Sequence, residues 1–244
     1  MTSLEIHNES GERLDHVFTP AREDTQSADS KIVIIGHGVT SHHDRPYLTH
    51  LCDAVSAAGL ASLRFSFSGN GDSEGQFVDS CISKEVADLG AVIDALEGWS
   101  VAYAGHSMGG AVGVMRSATD ERIGALVSLA GMTEVHGFMQ RHFGHLTPGE
   151  DCMLEREHAQ LSESFLKDAR AIQTTLPQAS QISVPWLLVH GTEDELVPFE
   201  DSVRCAQACP QNAQLAPIEG ADHCFTDRLD EVGNIVVPWL IGSL

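Results

Sequence analysis

The chain has 244 residues, with 35 acidic and 14 basic side chains, and its formal net charge at pH 7 is −21. Such an excess of negative charge repels phosphate backbones and anionic lipid headgroups, so we expect no nucleic-acid partner and no membrane association. The length suits one domain covering residues 1–244, and no apolar stretch approaches the roughly 18 residues that a membrane span requires.

Short apolar runs alternate with helical patterns along most of the chain. Segments 4–8 and 13–18 flank a polar turn and predict an opening β-hairpin. Runs typical of buried strands follow at 31–35, 123–130 and 186–190, and further strands are predicted at 61–67, 101–104 and 214–218. Helical patterns lie at 48–58, 86–96, 201–208 and 229–240. This alternation predicts an α/β fold with a mostly parallel central sheet, helices on both faces and ligands at the carboxyl ends of the strands.

One long segment interrupts the alternation. Between Gly131 and Val184 no strand is predicted, whereas polar helical stretches such as 150–167 occur. A connection of this length is normally functional, so we expect an insertion at about 131–184 that forms a small helical cap. Its histidines lack acidic or thiol partners at ligand spacing, which favours solvated or pocket-lining roles over a metal site. These histidines are His136, His142, His145 and His158.

The strand predicted at 101–104 leads directly into a Gly-x-Ser-x-Gly pattern, Gly105 to Gly109, followed by small residues. This context predicts a nucleophile elbow, a sharp turn from strand to helix that presents Ser107 above the sheet. The backbone N–H of Met108 then points to where an oxyanion would form. We therefore interpret Ser107 as a nucleophile.

A second Gly-x-Ser-x-Gly match occurs at Gly71 to Gly75. The preceding apolar run has already ended at Phe67, and no small-residue helix follows the match. Because the elbow needs both a strand and a helix, we interpret Ser73 as a polar loop serine.

A serine nucleophile needs a base, and the base needs an acid to orient it. His223 lies in the loop after the last predicted strand, and Asp194 follows the strand predicted at 186–190. We assign His223 as the base and Asp194 as the acid. Asp222, Glu193 and Glu195 are alternative acids, and the side chain of His106 is expected to point away from the site.

The predicted strand at 31–35 ends in Gly36-His37-Gly38-Val39. In this architecture the loop after that strand supplies the second oxyanion donor, and we assign this donor to the backbone N–H of Val39. Cys224, beside the base, is interpreted as a small residue of the pocket wall rather than a second nucleophile.

The order Ser107, Asp194, His223 is that of α/β-hydrolases, and the chain resembles this superfamily over essentially its whole length. Segment 64–75 resembles the Phe-Asp-Phe-x-Gly-x-Gly-x-Ser-x-Gly loop of cinnamoyl-esterase-like and serine-aminopeptidase-like small hydrolases. Here Ser66 replaces the usual aspartate and Asn70 the usual histidine or arginine, which weakens the expected anchoring of the loop. The resemblance implies carboxyl-ester hydrolysis without a metal or organic cofactor.

We therefore expect a serine esterase that cleaves a small or medium carboxylic ester through an acyl-enzyme, with a small-molecule ester as its partner. A thioesterase, an amidase or peptidase, or a carbon–carbon bond hydrolase would use the same triad. A ligand sensor on this fold would have no need to retain all three groups. The start of the cap is expected to supply pocket residues, namely Met132, His136, Phe138, Met139 and Phe143.

Six cysteines are scattered along the chain without a C-x-x-C pair, and the first residues lack a basic region followed by an apolar run. Reduced thiols are the simplest interpretation, which predicts a cytoplasmic protein. Either a monomer or a homodimer agrees with the sequence.

Overall fold

The computed structural model describes residues 4–22 and 30–244, in which seven strands and eight α-helices alternate. The strands are β1 (His16–Thr19), β2 (Lys31–Gly36), β3 (Ala61–Phe65), β4 (Ser100–His106), β5 (Ile123–Leu129), β6 (Trp186–Gly191) and β7 (Ala213–Ile218). The helices are α1 (Pro46–Ala57), α2 (Ile82–Asp94), α3 (Met108–Ser117), α4 (Val135–Phe143), α5 (Glu163–Ile172), α6 (Leu176–Ala179), α7 (Phe199–Ala208) and α8 (Leu229–Ser243).

The strands form one sheet in the order β1-β3-β2-β4-β5-β6-β7. Strand β1 is antiparallel to β3, and every other pairing is parallel. In the central pair, Gly36 at the end of β2 lies opposite Gly105 near the end of β4. The carboxyl ends of β2, β4, β5, β6 and β7 therefore lie along one edge of the sheet, where this class of fold binds ligands.

Side chains of each central strand alternate between two apolar cores. Val33 and Ile35 of β2 lie in one core with the buried residues of α1 and α8, whereas Ile32 and Ile34 lie in the other with those of α2 and α3. This alternation follows from the two-residue repeat of a strand, and helices on both faces remove the whole run from water. The predicted α/β-hydrolase fold is confirmed.

The predicted opening hairpin is reduced to a single bridge between His7 and Arg13. Residues 16–19 pair instead with β3, so that His16 lies opposite Phe65. The edge of a sheet offers a row of unpaired backbone groups, and the second half of the expected hairpin satisfies them.

The predicted helical stretch at 150–167 becomes helical only from Glu163, where Ser162 caps α5 by accepting a hydrogen bond of 3.2 Å from the Phe165 N–H. Upstream, Met153–Glu155 forms one 3₁₀ turn, and Leu154 and Glu155 adopt left-handed φ angles of 50° and 56°. A helix cannot continue through such residues. Within the described ranges, no helix combines the length and apolarity that crossing a bilayer requires.

Candidate active site

Ser107 occupies the sharp turn between β4 and α3, with φ 54° and ψ −118°. Glycines on both sides make this turn possible. A Cβ atom on Gly105 would collide with the carbonyl group of Gly109, and a Cβ atom on Gly109 would lie 2.5 Å from the carbonyl oxygen of His37. A left-handed φ in a residue other than glycine is strained, and such strain is concentrated at functional sites.

The loop after β2 lies directly against this turn. A Cβ atom on Gly38 would lie 2.9 Å from the Cβ atom of Ser107, so only glycine permits this approach. In the described part of the chain, the backbone N–H groups of Val39 and Met108 have no hydrogen-bond acceptor. Two donors are thus left free on the two segments that meet at Ser107.

His37 fixes the position of this loop. Its Nε2 atom accepts a hydrogen bond of 3.0 Å from the Phe67 N–H, and its Nδ1–H donates one of 2.8 Å to the Gly38 carbonyl oxygen. Complete burial lowers the pKa of His37 to about 3, so the ring is neutral at pH 7. His37 therefore ties the loop after β2 to the end of β3.

His223 and Asp194 meet at the same edge of the sheet, in the loops after β7 and β6. The Nδ1 atom of His223 lies 2.8 Å from the Oδ2 atom of Asp194. Because a carboxylate only accepts, Nδ1 carries the hydrogen and Nε2 of the neutral ring is a free acceptor. His223 and Ser107 both line one cavity, so the loops bring together the three residues assigned as a triad.

Asp194 accepts four hydrogen bonds. Its Oδ1 atom accepts from the backbone N–H groups of Leu196 (2.9 Å) and Val197 (2.8 Å), and its Oδ2 atom accepts from His223 and from Nε2 of His190 at 3.1 Å. Burial by itself raises the pKa of this carboxyl group, but the donors outweigh burial and hold the pKa below its ordinary value. Asp194 is therefore ionised around neutral pH.

His190 is a second histidine on the same carboxylate. It is fully buried, and its Nε2–H also faces the Val197 carbonyl oxygen at 3.0 Å. Its Nδ1 atom lies 2.7 Å from the Ser202 hydroxyl group. Since both groups near Nε2 are acceptors, Nε2 carries a hydrogen, and Nδ1 is paired with the hydroxyl of Ser202. Sequence reasoning missed this role, although the i, i+4 spacing between His190 and Asp194 was visible.

The alternative acids contact other groups. The Oδ1 atom of Asp222 accepts from the Thr226 N–H at 2.8 Å, and Glu195 accepts from the backbone N–H of His223, not from its ring, at 3.3 Å. Glu193 is exposed. Among these acids, only Asp194 contacts the ring of His223 in the described residues.

His106 does not point away from the site, contrary to the expectation from sequence. Its ring lies 4.7 Å from the ring of His223, and its Nε2–H donates a hydrogen bond of 2.9 Å to the His223 carbonyl oxygen. Burial lowers the pKa of His106 to about 3. The loop after β7 folds back over the elbow, which places the base against the residue that precedes the nucleophile.

The cavity at Ser107 has a volume of about 110 Å³. Phe138 of α4 lines it, as the sequence suggested, and so do Leu154 and Arg156 of the insertion. The thiol of Cys224 also faces the cavity, and burial raises its pKa, which keeps it protonated. The remaining lining residues are Gly38, Val39, Thr40, Ser41, Arg45, Tyr47, His106, Leu196 and His223.

The expected pocket roles of four other cap residues are corrected. His136, Met139 and Phe143 line a separate cavity beside α5, because successive residues of α4 point in different directions around the helix. Met132 is buried in the core, and its backbone N–H donates to the Ser107 carbonyl oxygen at 3.0 Å. Of the predicted pocket residues, only Phe138 faces the cavity at Ser107.

The cap histidines do not gather into a cluster. His142 contacts the Leu196 carbonyl oxygen at 2.9 Å and thereby ties α4 to the loop after β6. Across residues 4–22 and 30–244, no three His, Cys, Asp or Glu side chains lie together in a way that could hold a metal ion.

Comparison with known proteins identifies the fold and the family of the chain. The family described as "Serine aminopeptidase, S33" matches residues 27–163. Among solved structures, Est1E from Butyrivibrio proteoclasticus, bound to ferulic acid, is 24% identical, with 99% of each chain covered and a TM-score of 0.87. A structural likeness at this identity shows the fold.

Two curated relatives are similar over part of their own length. The human palmitoyl-protein thioesterase ABHD10 is 27% identical over 186 residues, which cover 70% of this chain and 60% of that protein. The non-reducing polyketide synthase Preu3 from Preussia isomera is 37% identical over 65 residues, which cover 24% of this chain and 3% of the synthase. This chain is a serine hydrolase of the α/β fold and belongs to the serine aminopeptidase S33 family.

Proposed function

We propose that this hydrolase cleaves a small or medium carboxylic ester through an acyl-enzyme formed on Ser107. One observation carries the proposal. Ser107 and His223 line the same cavity, and the ring of His223 is held through Nδ1 by the buried carboxylate of Asp194. This arrangement leaves a basic nitrogen available beside a serine whose backbone is strained at the elbow.

In the first half of the reaction, the Oγ atom of Ser107 attacks the ester carbonyl carbon while Nε2 of His223 takes the hydroxyl proton. The tetrahedral intermediate carries its negative charge on the former carbonyl oxygen, near the free N–H groups of Val39 and Met108. When the intermediate collapses, the ester C–O bond breaks and the leaving alcohol takes the proton from His223.

In the second half, water replaces the alcohol. His223 removes a proton from the water, the resulting hydroxide attacks the acyl carbonyl carbon, and the proton then returns to Ser107 as the acid is released. Asp194 stabilises the imidazolium ion in both halves because it is ionised and contacts Nδ1. Each half therefore uses the same base in the same orientation.

The segment 131–184 acts in this proposal as a cap. Phe138, Leu154 and Arg156 come from it and form one wall of the cavity. The other lining residues come from the carboxyl edge of the sheet, from the loops that follow its strands and from the start of α1. By covering part of the cavity, the segment reduces the access of water to the oxyanion, which strengthens the electrostatic contacts there.

The comparisons support ester hydrolysis and give a second candidate. Est1E, described as bound to ferulic acid, shares the fold over 99% of both chains. ABHD10 is described as a palmitoyl-protein thioesterase, and its similarity over 70% of this chain makes a thioester the second candidate substrate. The same two half-reactions apply to both bonds.

The compartment is also proposed. All six cysteines are free thiols, and Cys52, Cys205 and Cys209 are buried. Thiols persist unpaired in reducing compartments. We therefore propose that the protein works in the cytoplasm.

A fluorophosphonate probe followed by peptide mass analysis tests the proposal. We expect labelling at Ser107, and turnover by the wild type, but not by Ser107→Ala, across a panel of esters that vary in acyl length and aromaticity. Labelling at another residue, or no labelling, contradicts the assignment of Ser107. Labelling with turnover of thioesters alone favours the second candidate. Labelling without turnover of any ester or thioester overturns the esterase proposal.

A further inference from the structure

Two arginines face the cavity that contains Ser107. Arg45 immediately precedes α1 on the core of the fold, and Arg156 belongs to the insertion. Their side chains come from segments more than 100 positions apart in the chain, so the fold and not the local sequence brings them to one cavity. A guanidinium group is charged at every physiological pH.

Neither arginine has a carboxylate partner in the described residues. Several other arginines of this acidic chain do, as in the ion pairs of Arg64 with Asp44 at 3.0 Å and Arg204 with Glu134 at 2.8 Å. Arg45 and Arg156 therefore keep their charge unpaired beside the nucleophile, although the chain carries 35 acidic side chains.

Two buried polar atoms near this cavity also lack hydrogen-bond partners among the described residues. Among the described residues, the buried Nε atom of Arg45 and the buried hydroxyl oxygen of Ser41, which lines the same cavity, make no hydrogen bond of normal geometry. Both side chains lie near Tyr47, where they offset part of the rise that burial causes in the pKa of its hydroxyl group. A buried donor without an acceptor costs free energy, so such atoms are normally satisfied. A ligand oxygen in the cavity would satisfy them.

The backbone before Arg156 is strained. Leu154 and Glu155 both adopt left-handed φ angles, at 50° and 56°, and neither is glycine. This turn brings Leu154 and Arg156 to the cavity wall. Strain of this kind persists where the surrounding structure holds it, and it is concentrated at ligand-binding segments.

The positive charges of Arg45 and Arg156 both act on His42. Both Arg45 and Arg156 help to lower the pKa of His42, after the larger effect of its burial. Among the described residues, the cavity lining contains these two arginines and no acidic side chain, so on a molecule with a net charge of −21 it attracts an anion that the rest of the surface repels.

We propose that Arg45 and Arg156 bind an anionic group, a carboxylate or a phosphate, carried by the acyl or the alcohol part of the substrate. This inference rests on the proposed function, because it names the substrate class of the same site. The Arg45 guanidinium donates to the anion from the core side, with the Ser41 hydroxyl beside it, and Arg156 donates from the cap side. The forked geometry of a guanidinium suits both kinds of anion.

Matched ester pairs test the proposal by kcat/KM. In the first pair, 4-acetoxybenzoate carries a carboxylate on the alcohol side and its methyl ester does not. In the second pair, 4-nitrophenyl hydrogen adipate carries a carboxylate on the acyl side and its methyl ester does not. 4-Acetoxyphenyl phosphate against 4-acetoxyphenyl dimethyl phosphate tests a phosphate. We expect the wild type to prefer the anionic member of at least one pair, and the preferred pair identifies the anion and its side.

The variants locate that preference. Arg45→Gln should reduce it by about tenfold or more, since a charge-assisted hydrogen bond is lost from a partly buried site. Arg156→Gln should reduce it by about threefold because Arg156 is exposed, and Arg156→Glu should reduce it further. Arg141→Gln is the matched control: it removes one positive charge from the exposed side of α4, outside this cavity, and should leave the preference unchanged.

Binding separates the two proposals. Ser107→Ala cannot form an acyl-enzyme, so calorimetry on this variant measures binding alone. If the alcohol side carries the carboxylate, the variant should bind 4-acetamidobenzoate more tightly than its methyl ester. If the acyl side carries it, the variant should bind N-butyladipamic acid more tightly than its methyl ester. 4-Acetamidophenyl phosphate against its dimethyl ester serves as the phosphate pair. Adding Arg156→Gln should weaken that preference.

Loss of all turnover with the binding preference intact refutes only the esterase proposal. Turnover and binding without a preference for any anionic member, or a preference lost equally in Arg141→Gln, overturns the anion site.

Discussion

The two Gly-x-Ser-x-Gly segments of this chain have the same pattern and different structures. Ser107 and Ser73 are 3% and 9% exposed, so burial does not separate them. In the segment 71–75 the left-handed φ angles fall on Gly71 (55°) and Gly75 (96°), whereas in the elbow the left-handed φ falls on Ser107 itself. The elbow therefore holds its serine in a strained conformation, and the loop does not.

The fold also uses the two hydroxyl groups differently. The Ser73 hydroxyl donates to the Ser66 carbonyl oxygen at 2.7 Å and accepts from the Asp15 N–H at 2.8 Å. Within the described part of the chain, no such pair of bonds fixes the hydroxyl group of Ser107, which lines the cavity. The pattern thus encodes a tight turn, and a hydroxyl group is available for chemistry only where the fold leaves it free.

The loop is anchored despite its departures from the pattern that it resembles. The hydroxyl oxygen of Ser66, which stands where an aspartate is usual, accepts from the His43 N–H at 3.1 Å. Asn70 donates through Nδ2 to the Ser68 carbonyl oxygen at 3.2 Å. The expected weakening is therefore offset by shorter side chains that bind nearby backbone groups.

Replacing each serine by alanine gives the largest expected contrast. Ser107→Ala should lower kcat by about 10⁴- to 10⁶-fold with little change in the free energy of unfolding, since it removes the nucleophile and no structural bond. Ser73→Ala should instead lower the free energy of unfolding by about 1–3 kcal/mol, because it leaves the Asp15 N–H and the Ser66 carbonyl oxygen unpaired. Ester hydrolysis and urea unfolding measure the two effects. A large loss of kcat in folded Ser73→Ala would reverse the assignment.

Replacing the acid, Asp194, should have the next largest effect on kcat. Asp194→Asn should lower kcat by about 10³- to 10⁴-fold, since an amide in place of the carboxylate allows the wrong tautomer of His223. Asp222→Asn is the matched control, because its carboxylate contacts only the Thr226 N–H in the described residues, and kcat should remain within about threefold. Steady-state kinetics on both variants, with circular dichroism to check folding, decides between them. The converse result would make Asp222 the acid.

The elbow and the loop after β2 should also contribute a dependence of stability on pH through buried histidines, and segment 71–75 contains no histidine. Burial lowers the pKa of His106 and of His37 to about 3, whereas each titrates near 6.5 when unfolded. Between these values the unfolded chain binds more protons, so stability is complete above pH 6.5 and falls as the pH decreases towards 3. We expect each histidine to cost about 1–2 kcal/mol between pH 6.5 and pH 5.

His106→Gln tests this dependence. The amide N–H of glutamine can replace the Nε2–H that donates to the His223 carbonyl oxygen, but glutamine does not titrate. Urea unfolding between pH 5 and pH 7.5 should therefore show a shallower decline in the variant than in the wild type. Equal slopes would show that His106 does not contribute.

Much of the fold was predictable because apolar runs have simple physical consequences. The parallel strands β2 to β6 lie where apolar runs predicted strands, since a strand covered on both faces must be apolar throughout. The last strand, β7, also lies where it was predicted, although it is a half-exposed edge strand. The start of the chain was less predictable. Residues 13–18 have the alternation of a hairpin strand, but that pattern does not specify which neighbour the strand pairs with, and β3 provided the partner.

The candidate site was likewise predictable in part. The loops of Ser107, Asp194 and His223 were recognisable because each follows a predicted strand, and the parallel sheet brings these loops to one edge. The contacts of His106 with His223 and of His190 with Asp194 were not predicted in this way. They depend on how two loops fold over each other and on which ring nitrogen faces a carboxylate.

The sequence by itself determined the elbow, the alternation of strands and helices, and the strand ends at which the acid and the base lie, because these depend on backbone sterics and on local burial. Only the tertiary structure decided which carboxylate contacts His223, which residues of the insertion reach the cavity, and that Arg45 and Arg156 face it without acidic partners among the described residues. The reason is physical: a local pattern constrains φ, ψ and exposure, whereas contacts between distant segments depend on strand order and on the packing of loops at the sheet edge.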